Sequence, residues 1–122
     1  MTTETLHIIL VEDDTNLRYA FMKLLETAGY SVHSFPDYRG VLEMLDRGER
    51  ADLLVVDIAL PEGTPHGVAV AGMERRRLVN LPVVFVTAYP EFADYVPENT
   101  KVLLKPVTGD ALLEAVAEFL AR

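Results

Sequence analysis

The chain has 122 residues, half of them hydrophobic and a quarter charged, which suits one domain with a real core. Nineteen acidic residues against eleven basic give a net charge of −8, which argues against nonspecific binding to nucleic acid or an anionic membrane. There is no cysteine, so disulfides, thiol catalysis and zinc–thiolate sites are excluded; no apolar run reaches the length of a membrane span, and MTTETLHIIL lacks the basic start and cleavage site of a signal peptide, which together fit the cytoplasm.

Two periods alternate along the chain, with no repeat or linker between them. LHIILV (Leu6 to Val11) is continuously apolar, as expected of a strand buried on both faces. It runs straight into Glu12, Asp13 and Asp14. Leu17, Ala20, Phe21, Leu24, Leu25 and Ala28 then recur at helical spacing, with Asp14 or Thr15 as the cap and Gly29 as the stop. SVHSF (Ser31 to Phe35) reads as a second strand, and Val41, Leu42 and Leu45 mark a second helix closed near Gly48. The third strand, Leu53 to Val56, again ends on an acid, Asp57, and a weaker helix follows from about Gly67 to Val79. PVVFVT (Pro82 to Thr87) is the fourth strand. The segment from Ala88 to Thr100 contains Pro90 and Pro97, so any helix there is short. KVLLKP supplies the fifth strand, and Leu112, Leu113, Val116, Phe119 and Leu120 a last amphipathic helix with Thr108 as its cap.

Five strand–helix units predict an α/β fold, a parallel sheet covered on both faces, with right-handed crossovers. In such sheets ligands bind beyond the carboxyl ends of the strands. The residues that matter are therefore Glu12 and Asp13 after the first strand, Asp57 at the third, Thr87 at the fourth and Lys105 at the fifth. Carboxylates crowded together repel one another and lose their charge. A hard divalent cation removes that conflict, and magnesium is often held by one or two carboxylates with waters and a phosphate. On this reading Glu12 and Asp13 are tolerated because they hold a metal. Lys105 adds a second positive charge suited to a phosphoryl oxygen, and Thr87 a hydroxyl donor. Asp57 is then the nucleophile, since carboxylates form acyl phosphates. Metal and lysine would offset charge on the transferring group.

The acidic pair, Asp57, Thr87 and Lys105-Pro106, in that order and at strand ends, resemble the receiver domain of two-component response regulators over essentially the whole chain. The resemblance implies a flavodoxin-like (βα)5 sheet of strand order 2-1-3-4-5. It also implies phosphoryl transfer to Asp57 from a histidine kinase or histidine phosphotransfer protein, with Mg2+ (or Mn2+), and signalling through protein contacts. Asp13 and Asp57 would ligate the metal directly and Glu12 through water. The Ala59 backbone carbonyl would contribute, and Lys105-Pro106 would be a cis peptide. The chain would be a signalling phosphoacceptor rather than an ordinary enzyme.

Departures from the family pattern carry their own expectations. LPEGTPHG reaches Gly67 through a longer loop than usual. Val102 stands where a switch aromatic usually does, and the fourth helix is shortened. PVVFVTAY resembles the Pro-Phe-x-Phe-Ala-Thr-Gly-Tyr subgroup at Pro82, Phe85, Thr87 and Tyr89, which makes Tyr89 a candidate replacement switch. Ala59 and Tyr89 also suit the positioning of a hydrolytic water poorly, so slow loss of the phosphoryl group is expected.

Each of these residues has a plainer reading. Glu12-Asp13 alone is a solvated strand end, Lys105 a surface lysine, Thr87 a turn hydroxyl and Tyr89 a packing residue. Arg75, Arg76 and Arg77 read as a solvated helix face. His7, His33 and His66 lack the mutual spacing of a metal site. Two other functions fit the fold class. One is a flavin-binding module, against which three acids after the first strand argue; the other is a receiver-like interaction domain that works without phosphorylation. Residues 1–122 read as a single receiver domain. With no output domain after the last helix, the chain is either a stand-alone receiver or a piece of a longer protein.

Overall fold

A computed structural model of the chain describes residues 5–57, 81–88 and 100–120. Numbered in chain order, the described elements are β1 (His7–Val11), α1 (Thr15–Thr27), β2 (Ser31–Phe35), α2 (Tyr38–Asp46), β3 (Leu53–Asp57), β4 (Val83–Thr87), β5 (Thr100–Leu104) and α3 (Gly109–Leu120). The strands form one five-stranded sheet in the order β2-β1-β3-β4-β5, every neighbouring pair parallel. Sheet and strand order agree with the sequence reading. The helix expected over 67–79, the LPEGTPHG loop and the shortened fourth helix lie outside the described residues.

The continuously apolar strands feed two cores, one on each face of the sheet, because alternate side chains point to opposite faces. Ile8, Leu10, Leu53, Val55, Val84 and Val86 pack with Phe21 and Leu25 of α1 and with Leu112, Ala115 and Val116 of α3. Ile9, Val11, Leu54, Val56, Val83 and Phe85 pack with Val41 and Met44 of α2. Truncating a side chain as enclosed as Phe85 typically costs about 3–5 kcal/mol, so the cores dominate stability.

Helix ends follow their capping residues. The Asp14 Oδ1 accepts the Leu17 N–H at 3.0 Å, and the Thr108 Oγ1 accepts the Ala111 N–H at 3.1 Å. Gly29 and Gly48 close α1 and α2 at φ 104° and 76°, a region that disfavours side chains with a Cβ. The expected apolar stripes need two corrections. Ala20 of α1 and Ala28 at its C-cap are exposed, because the helix docks along the narrower Phe21–Leu25 line. In α2, Met44 is fully buried beside Val41 while Leu42 is only half-buried, a rotation of the helix by one position. Among the described residues no helix is long and apolar enough to cross a membrane.

Candidate phosphoryl-acceptor and metal site

Parallel strands end together, so the residues that follow them share one rim. β1 and β3 are paired through Val11 and Val56, which brings Glu12 and Asp13 beside Asp57. β3 pairs with β4, and β4 with β5, which adds Thr87 and Lys105. The ladder carries one residue past β1, where the Glu12 N–H donates to the Phe35 carbonyl at 3.0 Å. The Lys105 N–H donates to the Thr87 carbonyl at 2.8 Å, tying those two residues together. Lys105-Pro106 is a cis peptide.

The three consecutive acids after β1 take three different positions. Glu12 turns inward and is 1% exposed; Asp13 lies at the surface; Asp14 caps α1. One carboxylate oxygen each from Glu12, Asp13 and Asp57 lie within 4.8 Å of one another. Lys105 Nζ stands 3.0 Å from Asp57 Oδ1 and 3.7 Å from Glu12 Oε1. The closer contact is an ion pair without the alignment of a hydrogen bond, and both oxygens of Glu12 are buried with no hydrogen-bond donor. Thr87 is fully buried at the end of β4.

One lysine does not balance this much negative charge. Burial first, and then the adjoining Asp57 carboxylate, push the Glu12 carboxyl up to about 8, while the Lys105 cation pulls the other way. Lys105 itself is raised above its ordinary value: burial opposes its charge, but Asp57 and Glu12 outweigh burial, so it stays cationic.

Buried carboxylate oxygens without donors, gathered from neighbouring strands, suit a hard divalent cation, which takes oxygen ligands. The 4.8 Å span is one that direct bonds or a bridging water can close. Ala59 and Tyr89, the remaining two site candidates, lie outside the described residues. Val102, at the expected switch position, pairs with Phe85 and packs half-buried against the core on the α2 face.

Residues 8–117 match the response regulator receiver domain family, a span that contains every residue of the site. The chain belongs to that family. This receiver is 34% identical to the response regulator receiver protein CpdR of Brucella abortus over 103 residues, 81% of this chain and 83% of that protein. It is 29% identical to the sensor kinase CckA of the same organism over 120 residues, 94% of this chain but only 12% of the kinase. The crystal structure of a response regulator receiver protein from Sinorhizobium medicae superposes with a TM-score of 0.86 at 30% identity, covering 98% of each chain. Its fold and its place in two-component signalling follow from the family, and the flavin-binding alternative falls away.

Two features had no signal in the sequence. The Arg18 Nη1 donates to the Glu12 carbonyl at 2.8 Å, an interaction with a backbone atom that no side-chain spacing announces. His7 and His33, whose sequence spacing suggested no shared role, stack with ring centroids 5.7 Å apart because β1 and β2 are adjacent. The stack brings no third ligand: among the described residues only Glu12, Asp13 and Asp57 form a cluster that could hold a metal. His66 and Arg75 to Arg77 lie outside the described residues.

Proposed function

We propose that this receiver accepts a phosphoryl group on Asp57 from the phosphohistidine of a histidine kinase or a histidine phosphotransfer protein, with Mg2+ (or Mn2+) held by Glu12, Asp13 and Asp57. The family resemblance adds the Ala59 carbonyl to that ligand set. The observation that carries the reading is the Asp57 carboxylate, 3.0 Å from the Lys105 ammonium and within 4.8 Å of two further carboxylates.

When bound, the cation supplies positive charge against the phosphoryl oxygens and neutralises the acid cluster. The chain's own residues do the rest. A carboxylate oxygen of Asp57 attacks phosphorus; a phosphorus–oxygen bond forms as the phosphorus–nitrogen bond to imidazole breaks, and the imidazole nitrogen keeps the electron pair. Lys105, kept cationic by its two acidic neighbours, holds a phosphoryl oxygen. Thr87 offers a hydroxyl from the end of β4, and the rigid strand ends fix the direction of approach. Lys105 also lines an apolar groove of about 430 Å³ with Leu17, Phe21, Pro106 and Val107. The output goes through protein contacts, with a downstream protein as target and neither nucleic acid nor membrane, in the cytoplasm; the net charge of −8 supports only the exclusion of nucleic acid and anionic membrane.

The test is incubation with a small-molecule phosphodonor and magnesium, followed by intact mass. The wild type gains one phosphoryl group and Asp57→Asn gains none. An adduct that persists in Asp57→Asn overturns the acceptor assignment. No adduct in the wild type, from the small donor or from a phosphorylated histidine domain, favours the phosphorylation-independent alternative.

A further inference from the structure

We infer that Arg18 is a positioning residue for the divalent cation, acting through the backbone on the direction in which Asp13 projects. The inference rests on the reading of Glu12, Asp13 and Asp57 as a cation site. Asp13 is exposed and sits in the turn between β1 and α1, so packing alone does not aim its side chain. The turn is pinned on both sides of it. Ahead of it, the Glu12 N–H is bonded to the Phe35 carbonyl at 3.0 Å. Behind it, the Asp14 side chain caps α1 through the Leu17 N–H at 3.0 Å, and the Asp14 carbonyl accepts the Arg18 N–H at 2.8 Å.

Between those two anchors lies the peptide that joins Glu12 to Asp13. Its carbonyl oxygen accepts the Arg18 Nη1 at 2.8 Å, in a half-buried position. A peptide unit is planar, so fixing its oxygen fixes the Asp13 nitrogen and Cα. The anchored Asp14 behind them restrains rotation about the Asp13 backbone bonds, and the two restraints together set the direction of the Asp13 Cα–Cβ bond. A charged donor makes a stronger bond than a neutral one. The choice of partner is informative: a guanidinium one helical turn from an acid cluster donates to a carbonyl rather than to a carboxylate. It orients the turn and leaves the Asp13 oxygens to a ligand. Arg18 is thus an outer partner of the site, and loss of such partners typically weakens metal binding by about 10–100-fold.

The experiment compares wild type, Arg18→Ala, Arg18→Lys and Asp13→Ala, each first shown to be folded. Magnesium affinity is read by calorimetry, and the amide spectrum of the metal-free protein by NMR. Arg18→Ala is expected to weaken magnesium about tenfold, at the lower end of that range, and to move the Asp13 amide resonance most. The phosphorylation rate should recover at saturating magnesium. Arg18→Lys, which keeps one charged donor, should recover part of the affinity. Unchanged magnesium affinity in Arg18→Ala, with Asp13→Ala weakened, overturns the inference alone. So does a rate that stays low at saturating magnesium, because that places Arg18 in the transfer step. If the wild type itself binds no magnesium, the cation site fails first.

Discussion

Asp52 and Glu12 are carboxylates at opposite ends of the same pair of strands, and their surroundings differ completely. Asp52 precedes β3 at the amino end of the sheet. Its Oδ2 accepts the His7 N–H at 2.7 Å, its Oδ1 accepts Arg50 Nε at 3.1 Å, and its own N–H donates to the His7 carbonyl at 2.7 Å. Glu12 follows β1 at the carboxyl end, more deeply enclosed, and neither of its oxygens accepts a hydrogen bond. A satisfied carboxylate clamps β1 to β3. A buried unsatisfied one costs stability and persists where a binding partner offsets the cost. The contrast separates a residue that builds the fold from one that serves the site.

Magnesium gives the largest separation. At about 100 times the dissociation constant, a ligand that binds only the folded state adds about 2.7 kcal/mol, on the order of 10 °C in a domain of this size. The wild type should show that rise in melting temperature. Asp52→Ala, although less stable throughout, should show it in full, and Asp13→Ala should show almost none. An equal response from Asp13→Ala and wild type would erase the distinction between the two ends.

The next effect is smaller and opposite in sign at the two acids. Without metal, Asp52→Ala should lose about 2 kcal/mol, having given up charge-assisted hydrogen bonds. Glu12 behaves the other way. Its folded value of about 8 lies above the ordinary 4.5, so the folded state holds the proton more tightly than the unfolded state does. Its contribution is present in full below about pH 4.5 and is lost as pH rises through about 8. Glu12→Gln, which cannot ionise, should therefore melt higher than wild type at pH 9 in the presence of a chelator and lower than wild type in excess magnesium. Denaturant melts at several pH values check both signs. A Glu12→Gln protein that is less stable at pH 9 without metal would mean that the buried charge is compensated within the fold.

Most of the fold was legible because a parallel sheet buried on both faces writes its strands as unbroken apolar runs, and Ile8 to Val11, Leu53 to Val56 and Val83 to Val86 are such runs. The rim was legible for a related reason: where an apolar run ends, the next polar residue has nowhere to be except the strand end, which places Glu12, Asp57, Thr87 and Lys105. Side-chain direction was not legible. Nothing in Glu12-Asp13-Asp14 says that the first turns inward and the second outward; that depends on the pairing of β1 with β2 and β3. The Arg18 contact is hidden because its target is a carbonyl, which every residue has. The His7–His33 stack is hidden because it depends on strand adjacency. In α2, the expected stripe of Val41, Leu42 and Leu45 missed Met44, because apolar residues on several sides of a short helix leave its rotation to packing, and here Met44 joins Val41 in the core.

A third kind of acid completes the comparison and carries the smallest effect. Glu118 of α3 pairs with Lys101 of β5, and both side chains are open to water, 54% and 36% exposed. β5 is one of the two edge strands, bonded to β4 alone, so the pair looks like a clip that holds edge to helix. The magnitudes say otherwise. Exposed ion pairs contribute about 0–1 kcal/mol, since water screens the attraction and two long side chains lose freedom. By contrast Leu112 and Val116, both fully buried, hold α3 to the sheet through apolar contact worth several kcal/mol. Lys101→Met keeps the stem that covers the strand and removes only the charge. It should change stability by less than about 0.5 kcal/mol, shrink further in high salt, and leave the magnesium response untouched. A loss well above 1 kcal/mol, or a changed response to magnesium, would show that the edge strand depends on this charge and that Glu118 belongs with Asp52 among the acids that build the fold.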